Sequence, residues 1–448
     1  MAKPAAMLPI LLFLLSTSSL ALSYETQETK ESSDNPYYFP GESFSTPLST
    51  QEGKLRILQR FSERSHLLRR IENYRIALLE ANPNTALIPN HFDADTLVFV
   101  VEGSATITLL RKENRESYNL RRGDLLRVSA GSTAYIINND NKEKLYIVNL
   151  FETISVPGQL QAFFGIGGQN PESYYMSFSR HILEAAFNTE YDKVRRVFGQ
   201  HQEGSFVRVS EEKIRELARH ASSSQGGQSH YEGRSRGPFN LYEQRPTYSN
   251  QHGRLQEVDA NDYPALRDQD IAVSYANIRG GSMEAPYYNS RATKVAVVLD
   301  GSGYFEMTCP HLAGRRSREE GEQGRQGEES EPGRREGEEE SVSYQKVSAK
   351  LSPGDVYVVP AGHPFVNVAD KDRELRIVCF EINAEDNKKY MLAGQDNIFN
   401  KLNREEREIF FRESEREVQQ VLNAQREAGL LEGPEGRKER GGEGRSDV

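Results

Sequence analysis

Cysteine is nearly absent from this sequence: among 448 residues, only Cys309 and Cys379 carry a thiol. Two thiols cannot build the disulfide framework on which small secreted domains depend. Stability must therefore come from hydrophobic cores and subunit contacts. Cys379 lies in the apolar run Leu375 to Phe380, where we expect a small, buried core residue.

Long hydrophobic runs and an excess of basic residues are also missing. Beyond the first 23 residues, no apolar stretch approaches the ~20 residues that a membrane helix needs. Acidic residues outnumber basic ones by 66 to 56, and the net charge is −10. No basic face is apparent that could neutralise phosphates. We therefore expect neither a membrane nor a nucleic-acid partner.

The apolar run that is present lies at the start of the chain. Lys3 supplies a positive charge, and Met7 to Leu15 is apolar but too short to span a bilayer. Ala21-Leu22-Ser23 has the small-x-small pattern of a cleavage site. This pattern predicts a signal peptide over residues 1–23, a mature chain that begins near Tyr24, and entry into the secretory pathway.

The sequence contains an internal repeat. Leu87 to Gly103 aligns without gaps on Ala285 to Gly301, and Gly123 to Gly131 aligns on Gly354 to Gly362. Units of this length are too long for a solenoid. They suit two domains, each with its own hydrophobic core.

The second copy of the repeat carries an insertion. Gly103 and Gly123 lie 20 residues apart, whereas Gly301 and Gly354 lie 53 apart, and residues 315–340 account for most of the difference. This segment has 6 Arg, 10 acidic residues and no aliphatic or aromatic side chain, so burial cannot offset its chain entropy. We expect a solvated, disordered loop. An acidic binding arm is the alternative, which the mixed sign of the charge disfavours.

Both copies have the same order of predicted elements. Short β-branched and aromatic runs, separated by glycine, asparagine and proline, predict a sandwich or a closed barrel. The runs are Thr96 to Leu109, Leu125 to Ile137, Lys294 to Met307 and Val356 to Val368. Segments with helical spacing follow each set of strands. After the first set they are Pro171 to Gly199 and a helix N-capped by Ser210, and after the second set the segment is Met391 to Gln425. The predicted fold is mainly β, with two barrels each followed by a helical extension.

A glycine-proline motif gives the barrels a family resemblance. Gly-x5-Pro-x-Gly stands at Gly354 to Gly362 and, degenerately, at Gly123 to Gly131. It resembles the second motif of the cupin superfamily, and two copies resemble a bicupin. Further stretches resemble the vicilins, the 7S seed storage globulins of plants: Asn35 to Phe39, Gly53 to Phe61, Asn73 to Ile76, Pro157 to Leu160, Phe178 to Arg180, Leu183 to Phe187, Tyr287 to Ala292, Pro360 to Pro364 and Phe380 to Ala384.

The resemblance runs from about Asn35 to Gln425. It implies two jelly-roll cupin domains and a homotrimer in which the helical extensions join neighbours head to tail. It also implies a reserve of nitrogen and carbon in the protein storage vacuoles, or protein bodies, of seed. A small anion in a barrel interior is a further expectation.

These features predict the organisation of the chain. The expected segments after the signal peptide are a flexible stretch 24–34, a first cupin module 35–221, a flexible linker 222–237, a second cupin module 238–431 and a disordered tail 432–448.

The metal sites of enzymatic cupins are similar to one another: they hold three histidines and one glutamate. This ligand set suits Mn or Fe with open coordination positions. In the first repeat, the four places hold Pro89, His91, Thr96 and Ala134; in the second, they hold Tyr287, Asn289, Lys294 and Phe365. A single histidine cannot hold a divalent metal tightly. We therefore interpret His91 as a polar residue paired with Asp93 or Asp95, and we expect no enzyme.

A different set of metal-binding side chains lies in the second repeat. Cys309 and His311 end a predicted strand, and if its period of two holds, both face the side taken by Phe305 and Met307. His363 adds a third donor. A thiolate with two imidazoles suits copper or zinc. The alternative is a buried cysteine beside two loop histidines.

The vicilin resemblance makes copper the expected metal. Some vicilins with this Cys-Pro-His and His-Pro pairing resemble copper-binding proteins, which implies that a tyrosine completes the ligand set. Tyr37 is preferred over Tyr38 for that place. The expected metal ligands are therefore Cys309, His311, His363 and Tyr37.

The leading hypothesis for function is a storage protein without catalytic activity. The alternative is a bicupin that binds copper or a small ligand, and the Cys309, His311 and His363 cluster distinguishes the two. An oxalate-degrading bicupin enzyme is the least favoured alternative, because the enzymatic ligand places are not filled by ligands.

Overall fold

The structure of the chain is a computed structural model that describes four stretches: 35–112, 114–224, 237–312 and 343–435. Several predicted segments lie wholly or mostly outside these stretches: the signal peptide 1–23, the segment 24–34, the insertion 315–340, residues 225–236 of the linker and residues 436–448 of the tail. No helix in the described stretches has the length and apolar character needed to cross a membrane.

Strands dominate both halves of the chain. In the first half they are β1 (Tyr38–Phe39), β2 (Phe44–Ser49), β3 (Gly53–Leu58), β4 (Tyr74–Ala81), β5 (Thr85–Phe92), β6 (Ala94–Glu102), β7 (Ser104–Leu110), β8 (Arg115–Arg121), β9 (Asp124–Val128), β10 (Thr133–Asn138), β11 (Leu145–Thr153), β12 (Ala162–Phe164) and β13 (Phe206–Arg208). In the second half they are β14 (Phe239–Asn240), β15 (Tyr248–Asn250), β16 (Gly253–Val258), β17 (Ile271–Ile278), β18 (Ser282–Glu284), β19 (Tyr287–Asn289), β20 (Thr293–Gly301), β21 (Gly303–Cys309), β22 (Gln345–Leu351), β23 (Val356–Val359), β24 (Phe365–Ala369), β25 (Leu375–Ile382), β26 (Lys389–Met391) and β27 (Leu430–Glu432).

The strands form four antiparallel sheets, two for each barrel. The first barrel has a sheet of order β14-β9-β6-β11-β4-β3-β2 and a sheet of order β12-β5-β10-β7-β8 with β13 beside β5. The second barrel has a sheet of order β1-β23-β20-β25-β17-β16-β15 and a sheet of order β22-β21-β24-β18-β27 that β19 and β26 extend. Two β-barrels are thus present, as the repeat predicts.

Each predicted run of apolar residues becomes two strands joined by a tight turn. In both repeats, a glycine with positive φ makes the turn: Gly103 at +82° and Gly301 at +85°. A Cβ atom at Gly103 would lie 2.7 Å from the carbonyl oxygen of Lys144, and one at Gly301 would lie 1.7 Å from that of Glu374. These turns therefore require glycine for both conformation and space.

The central strands are apolar on both faces because both faces are covered. In β6, Val98 and Val100 belong to the core inside the first barrel. Leu97 and Phe99 point the other way, into a second core that continues through the second barrel. The two barrels therefore share a hydrophobic core along the sheets that face each other.

The helices lie mainly after each barrel. They are α1 (Phe61–Arg64), α2 (Arg180–Phe187), α3 (Tyr191–Phe198), α4 (Glu211–Ser224), α5 (Arg404–Phe410) and α6 (Glu415–Leu422). We call α2 with α3 the first helical arm and α5 with α6 the second helical arm. Asn188 ends α2 in the left-handed conformation at φ 47°. The Ser210 hydroxyl accepts a hydrogen bond from the Lys213 amide at 3.5 Å, as expected of an N-cap.

The two barrels exchange short strands. β1, from the start of the described chain, pairs with β23 of the second barrel, and β14, from the start of the second half, pairs with β9 of the first barrel. β1 thus lies in a sheet of the second barrel, although the rest of its module forms the first barrel. β14 lies in a sheet of the first barrel, although the rest of its module forms the second.

An aspartate at the same place of each repeat holds the exchanged strand. Asp355 accepts hydrogen bonds from the Tyr38 hydroxyl at 2.8 Å, the Gly41 amide at 3.1 Å and the Ser352 amide at 2.8 Å. Asp124 accepts them from the Asn240 side chain at 2.7 Å and the Arg121 amide at 2.8 Å. Both carboxylates therefore fix a turn of their own barrel and the strand that arrives from the other half.

We predict that Asp355→Ala lowers the free energy of unfolding by about 3 kcal/mol, because two amides and a buried hydroxyl lose their acceptor. Chemical denaturation measures this change. Asp372→Ala, which removes an exposed carboxylate from a surface turn, is the control and should unfold like the wild type. An Asp355→Ala protein as stable as that control would contradict the role of Asp355.

Candidate functional site

The metal-binding residues expected in the second repeat lie at the end of β21. The period of two holds along this strand, because Phe305, Met307 and Cys309 are all buried. The strand ends at Cys309, and His311 lies beyond it with an exposed side chain. The expectation that His311 also faces the side of Phe305 therefore does not hold, since the strand period stops before it.

The strand exchange brings a tyrosine to Cys309. The carbonyl of Tyr37 accepts a hydrogen bond from the Val358 amide at 2.8 Å, next to the pairing of β1 with β23. The Tyr37 hydroxyl lies 3.5 Å from the Cys309 sulfur, and both residues are fully buried. Tyr38 points elsewhere, to Asp355. Of the two tyrosines, the structure thus places Tyr37 beside the thiol.

His363 lies in the loop between β23 and β24, where the Pro-Ala-Gly-His sequence turns the chain. Its Nδ1 atom lies 3.1 Å from the Ala361 carbonyl oxygen, to which it donates. Its Nε2 atom is buried, with no hydrogen-bond partner in the described part of the chain. Burial lowers the pKa of this imidazole, and the neighbouring His311 lowers it further. A neutral ring with an unpartnered nitrogen is suited to a metal.

The four expected ligands are neighbours without forming a ligand set. The His363 ring centroid lies 5.2 Å from that of His311 and 6.2 Å from that of Tyr37. Within the described ranges, however, no three His, Cys, Asp or Glu side chains come close enough together to hold a metal ion. The residues thus share one neighbourhood at the rim of the second barrel, on three separate segments.

The enzymatic ligand places of the first barrel hold one imidazole. His91 stacks on the Phe163 ring, with centroids 4.9 Å apart and an interplanar angle of 12°. Asp95 instead pairs with Arg127 at 3.0 Å, and Asp93 accepts from the Gln161 amide at 2.8 Å. The structure therefore gives His91 an aromatic partner rather than the carboxylate that we expected.

In the second barrel, an ammonium group lies among the enzymatic places. Lys294 is 1% exposed, and its Nζ atom lies 5.4 Å from the Tyr287 ring centroid and 5.5 Å from that of Phe365. Its charge is balanced by Glu381 at 3.3 Å. Glu381 also accepts from Lys389 at 3.1 Å, which in turn pairs with Glu257. The interior is therefore a compensated ionic network.

A second buried carboxyl extends this network. The Asn367 amide donates to Glu284 at 2.5 Å and accepts from the Tyr357 hydroxyl at 2.7 Å. Burial raises the pKa of the Glu284 carboxyl. Sequence reasoning missed this network, although one signal was present: ionisable residues such as Lys294 and Glu381 stand within otherwise apolar strands.

The second thiol is chemically quiet. Cys379 is free and buried, as expected from its apolar run. Burial raises the pKa of its thiol to about 11. Because the thiolate is the reactive form, the raised pKa and the burial of Cys379 both disfavour a nucleophilic role near neutral pH.

We predict that Glu284→Gln gains stability over the wild type as the pH rises. Below ~4.3, the usual glutamate pKa, both folded and unfolded wild type are protonated, so the two proteins match. Above it, the unfolded wild type releases the proton that the folded protein retains. The difference grows by about 1.4 kcal/mol for each pH unit until the folded pKa is passed.

Melting temperatures from pH 4 to 8 measure this effect. Glu102→Gln, at an exposed glutamate that ends β6, is the control and should track the wild type at every pH. A Glu284→Gln difference that is constant with pH, or that shrinks as the pH rises, would show that Glu284 is already ionised in the folded protein.

Comparisons with known proteins place this fold in a family. A family model described as "Cupin" matches residues 239–419. The chain is 44% identical over 435 residues to "Vicilin Jug r 6.0101" of Juglans regia, which covers 95% of this chain and 84% of that protein. The crystal structure of vicilin from Corylus avellana, 43% identical, matches with a TM-score of 0.78 over 89% of this chain and 100% of its own.

A vicilin structure from Solanum melongena, 36% identical, matches with a TM-score of 0.80 over 90% of this chain and 99% of its own. That structure is described as revealing different anionic ligands in structurally similar pockets. The three relatives cover 95%, 89% and 90% of this chain, so these matches concern the architecture as a whole. The chain belongs to the vicilins, the 7S globulins that serve as seed storage proteins.

Proposed function

We propose that this storage globulin has no catalytic activity, assembles as a homotrimer, and reaches the protein storage vacuole through the secretory pathway. The observation that carries the proposal is the pair of exposed apolar helical arms on a body whose barrel interiors carry no enzymatic ligand set. The storage role then depends on the abundance of the protein and on the compact packing of its chain.

The contents of the barrels support the absence of catalysis. Of the eight enzymatic ligand places, only that of His91 holds a residue of the enzymatic ligand set, and its ring is stacked on Phe163. In the second barrel, the Lys294 ammonium lies among these places and disfavours a second cation by charge repulsion. A divalent metal at the enzymatic place would need to displace this ion-paired lysine.

The helical arms support assembly. Large apolar side chains on both arms are exposed in the single chain: Ile182, Val197, Ile409, Phe410 and Val421. Ile409 and Phe410 are 73% and 68% exposed. Contiguous exposed apolar surface of this kind marks an interaction site. Because each chain carries two such arms, head-to-tail contacts between them can close a ring when the rotation between neighbours is a third of a turn.

We predict that Phe410→Glu dissociates the trimer while both barrels stay folded, because a charge replaces an apolar side chain at the subunit contact. Light scattering coupled to size-exclusion chromatography at micromolar concentration should change from three chains to one. Circular dichroism should keep the wild-type strand signal.

Tyr344→Glu is the matched control, since Tyr344 is 63% exposed but lies outside both helical arms. It should remain trimeric. A wild-type protein that runs as a stable monomer, or equal dissociation of both variants, would contradict assembly through the arms.

A second candidate function is binding of copper at the rim of the second barrel. Its support is the buried, unpartnered Nε2 atom of His363, beside the exposed His311 ring and near the contact of Tyr37 with Cys309. Thiolate and imidazole donors suit copper chemistry. Cys309, His311, His363 and Tyr37 would hold the ion after their side chains moved closer together than they lie in this structure.

We predict that Cys309→Ser loses copper but keeps its stability, because serine retains the volume and removes the soft donor. Metal content of protein equilibrated with copper and then dialysed measures binding, with one ion per chain expected for the wild type. His91→Ala is the control and should retain the ion. Copper retained by Cys309→Ser and lost by His91→Ala would place the site in the first barrel instead.

The small anion expected in a barrel interior is best accommodated in the second barrel. There, the Tyr287 hydroxyl and the Asn289 Nδ2 atom are buried, with no hydrogen-bond partner among the described residues, while the Asn289 Oδ1 atom accepts from Asn387 at 3.2 Å. Both stand on β19, two residues apart, and both are donors to an anion. The Solanum melongena relative, with its anionic ligands, supports this proposal by analogy.

A further inference from the structure

A cleft of about 360 Å³ lies between the two barrels, where their facing sheets end. The first barrel contributes residues of β3, β4, β6 and β11 to its walls, and the second contributes residues of β17, β20 and β25. Its lining residues Val148 and Val297 are buried, whereas Glu102 and Asp300 are exposed. The cleft therefore has an apolar floor and a polar mouth that is open to solvent.

The internal repeat places equivalent residues on the two sides of the cleft. Glu102 aligns with Asp300, and each directly precedes a turn glycine. Glu102 pairs across the sheet with Tyr146 of β11, and Asp300 pairs in the same way with Arg376 of β25. Arg122, which also lines the cleft, belongs to the first barrel. Each barrel therefore supplies a carboxylate and a guanidinium to the walls.

Tyrosine rings form another part of the wall. The ring centroids of Tyr242 and Tyr275 lie 4.6 Å apart, and the Arg122 guanidinium lies 5.6 Å from the Tyr242 centroid. Burial raises the pKa of the Tyr275 phenol, and Arg376 and Arg122 oppose that rise. Guanidiniums from both barrels thus lie near one phenol. A flat aromatic molecule suits this wall, because it stacks on phenol rings and on guanidinium planes.

The charges around the cleft balance. Three arginines and two acidic residues line it. A further carboxylate, that of Glu374, pairs with the lining residue Arg376. The balance favours neither an anion nor a cation. Hydroxyl groups match the mixture, because a hydroxyl accepts a hydrogen bond from a guanidinium and donates one to a carboxylate.

The volume of the cleft sets the size of the ligand. Sites for small molecules usually measure about 300–1,000 Å³, and the cleft falls within this range. Since a water molecule needs about 10–15 Å³, the cleft holds roughly 24–36 water-sized groups. A compound of several linked rings therefore fits.

We propose that the cleft between the barrels binds a flat, neutral, polyhydroxylated aromatic molecule of the size of a flavonoid. Its rings lie against Tyr242, Tyr275 and the apolar floor, and its hydroxyl groups bond to the carboxylates and guanidiniums at the two sides. This site is independent of storage, of the candidate copper site and of the anion placed in the second barrel, because it uses none of their residues.

A matched pair of probes tests the class of ligand. Catechin and flavone share a ring framework, and only catechin carries hydroxyl groups. Equilibrium dialysis of the assembled protein should show saturable binding of one catechin per chain, and flavone should bind at least ten-fold more weakly. An affinity for flavone equal to that for catechin would overturn the proposed role of the polar mouth.

Two substitutions test the location of the site. Val101 and Leu299 are equivalent in the repeat, line the cleft and pack at the edge of the shared core. Val101→Trp and Leu299→Trp each place an indole in the cleft, from opposite sides, and either should weaken catechin binding at least ten-fold. Circular dichroism and melting identify a variant that does not fold, in which case the other one decides.

Leu110→Trp is the matched control, because Leu110 is 40% exposed and lies on β7, in the sheet of the first barrel that does not line the cleft. It adds an equal ring elsewhere and should leave the affinity unchanged. The proposal is overturned if catechin shows no saturable binding, or if both tryptophan variants fold and keep the wild-type affinity. Saturable binding of adenosine monophosphate in place of catechin would show that the cleft selects an anion, which would also overturn it.

Discussion

Two aspartates, each following a turn glycine at the same place of its repeat, hold the strand that arrives from the other half of the chain. Asp355 binds the segment of β1, and Asp124 binds that of β14. Neither barrel sheet has its full set of strands without the other half. The shared core between the facing sheets has the same consequence, since Leu97 and Phe99 of the first barrel pack in the core of the second. The two barrels are thus one folding unit built from two copies.

The strand exchange also determines which residues lie near the candidate copper site. It carries Tyr37 from the start of the described chain to Cys309 in the second half, so Tyr37 joins the other three candidate copper residues only because β1 has crossed over. The interiors then differ through substitutions within one scaffold. Ion pairs of Lys294 with Glu381 fill the second barrel, while Thr96 and Ala134 leave a neutral cavity in the first. One architecture thus presents a rim site, a charged interior and an apolar interior.

Much of this architecture could be predicted from the sequence. The repeat predicts two barrels, and the spacing near Ser210 predicts a capped helix. The division of each apolar run into two strands at Gly103 or Gly301 was not predicted. The exchanged strands could not be predicted, because a two-residue strand has no periodicity and its partner lies more than a hundred residues away. Nor could the position of His311, since the strand ends at Cys309 and the period of two stops with it.

The partners of the buried charges could not be predicted from the sequence either. Lys294 and Glu381 stand out as ionisable residues in apolar strands, but their pairing depends on which strands become neighbours. The same holds for His91, whose expected carboxylate partners are taken by Arg127 and by a backbone amide. Local patterns specify elements and faces. Contacts between distant strands need the assembled fold.

The central claim is that the exchanged strands make the two barrels one cooperative unit. Hydrogen–deuterium exchange of the intact protein tests it most directly, with peptides that contain β1 and β14 compared with peptides from the central strands β20 and β25. The account predicts that all four segments exchange slowly and together, because opening an exchanged strand breaks the sheet that contains it. Exchange of β1 and β14 as fast as that of a free chain end, while β20 and β25 stay protected, would contradict it.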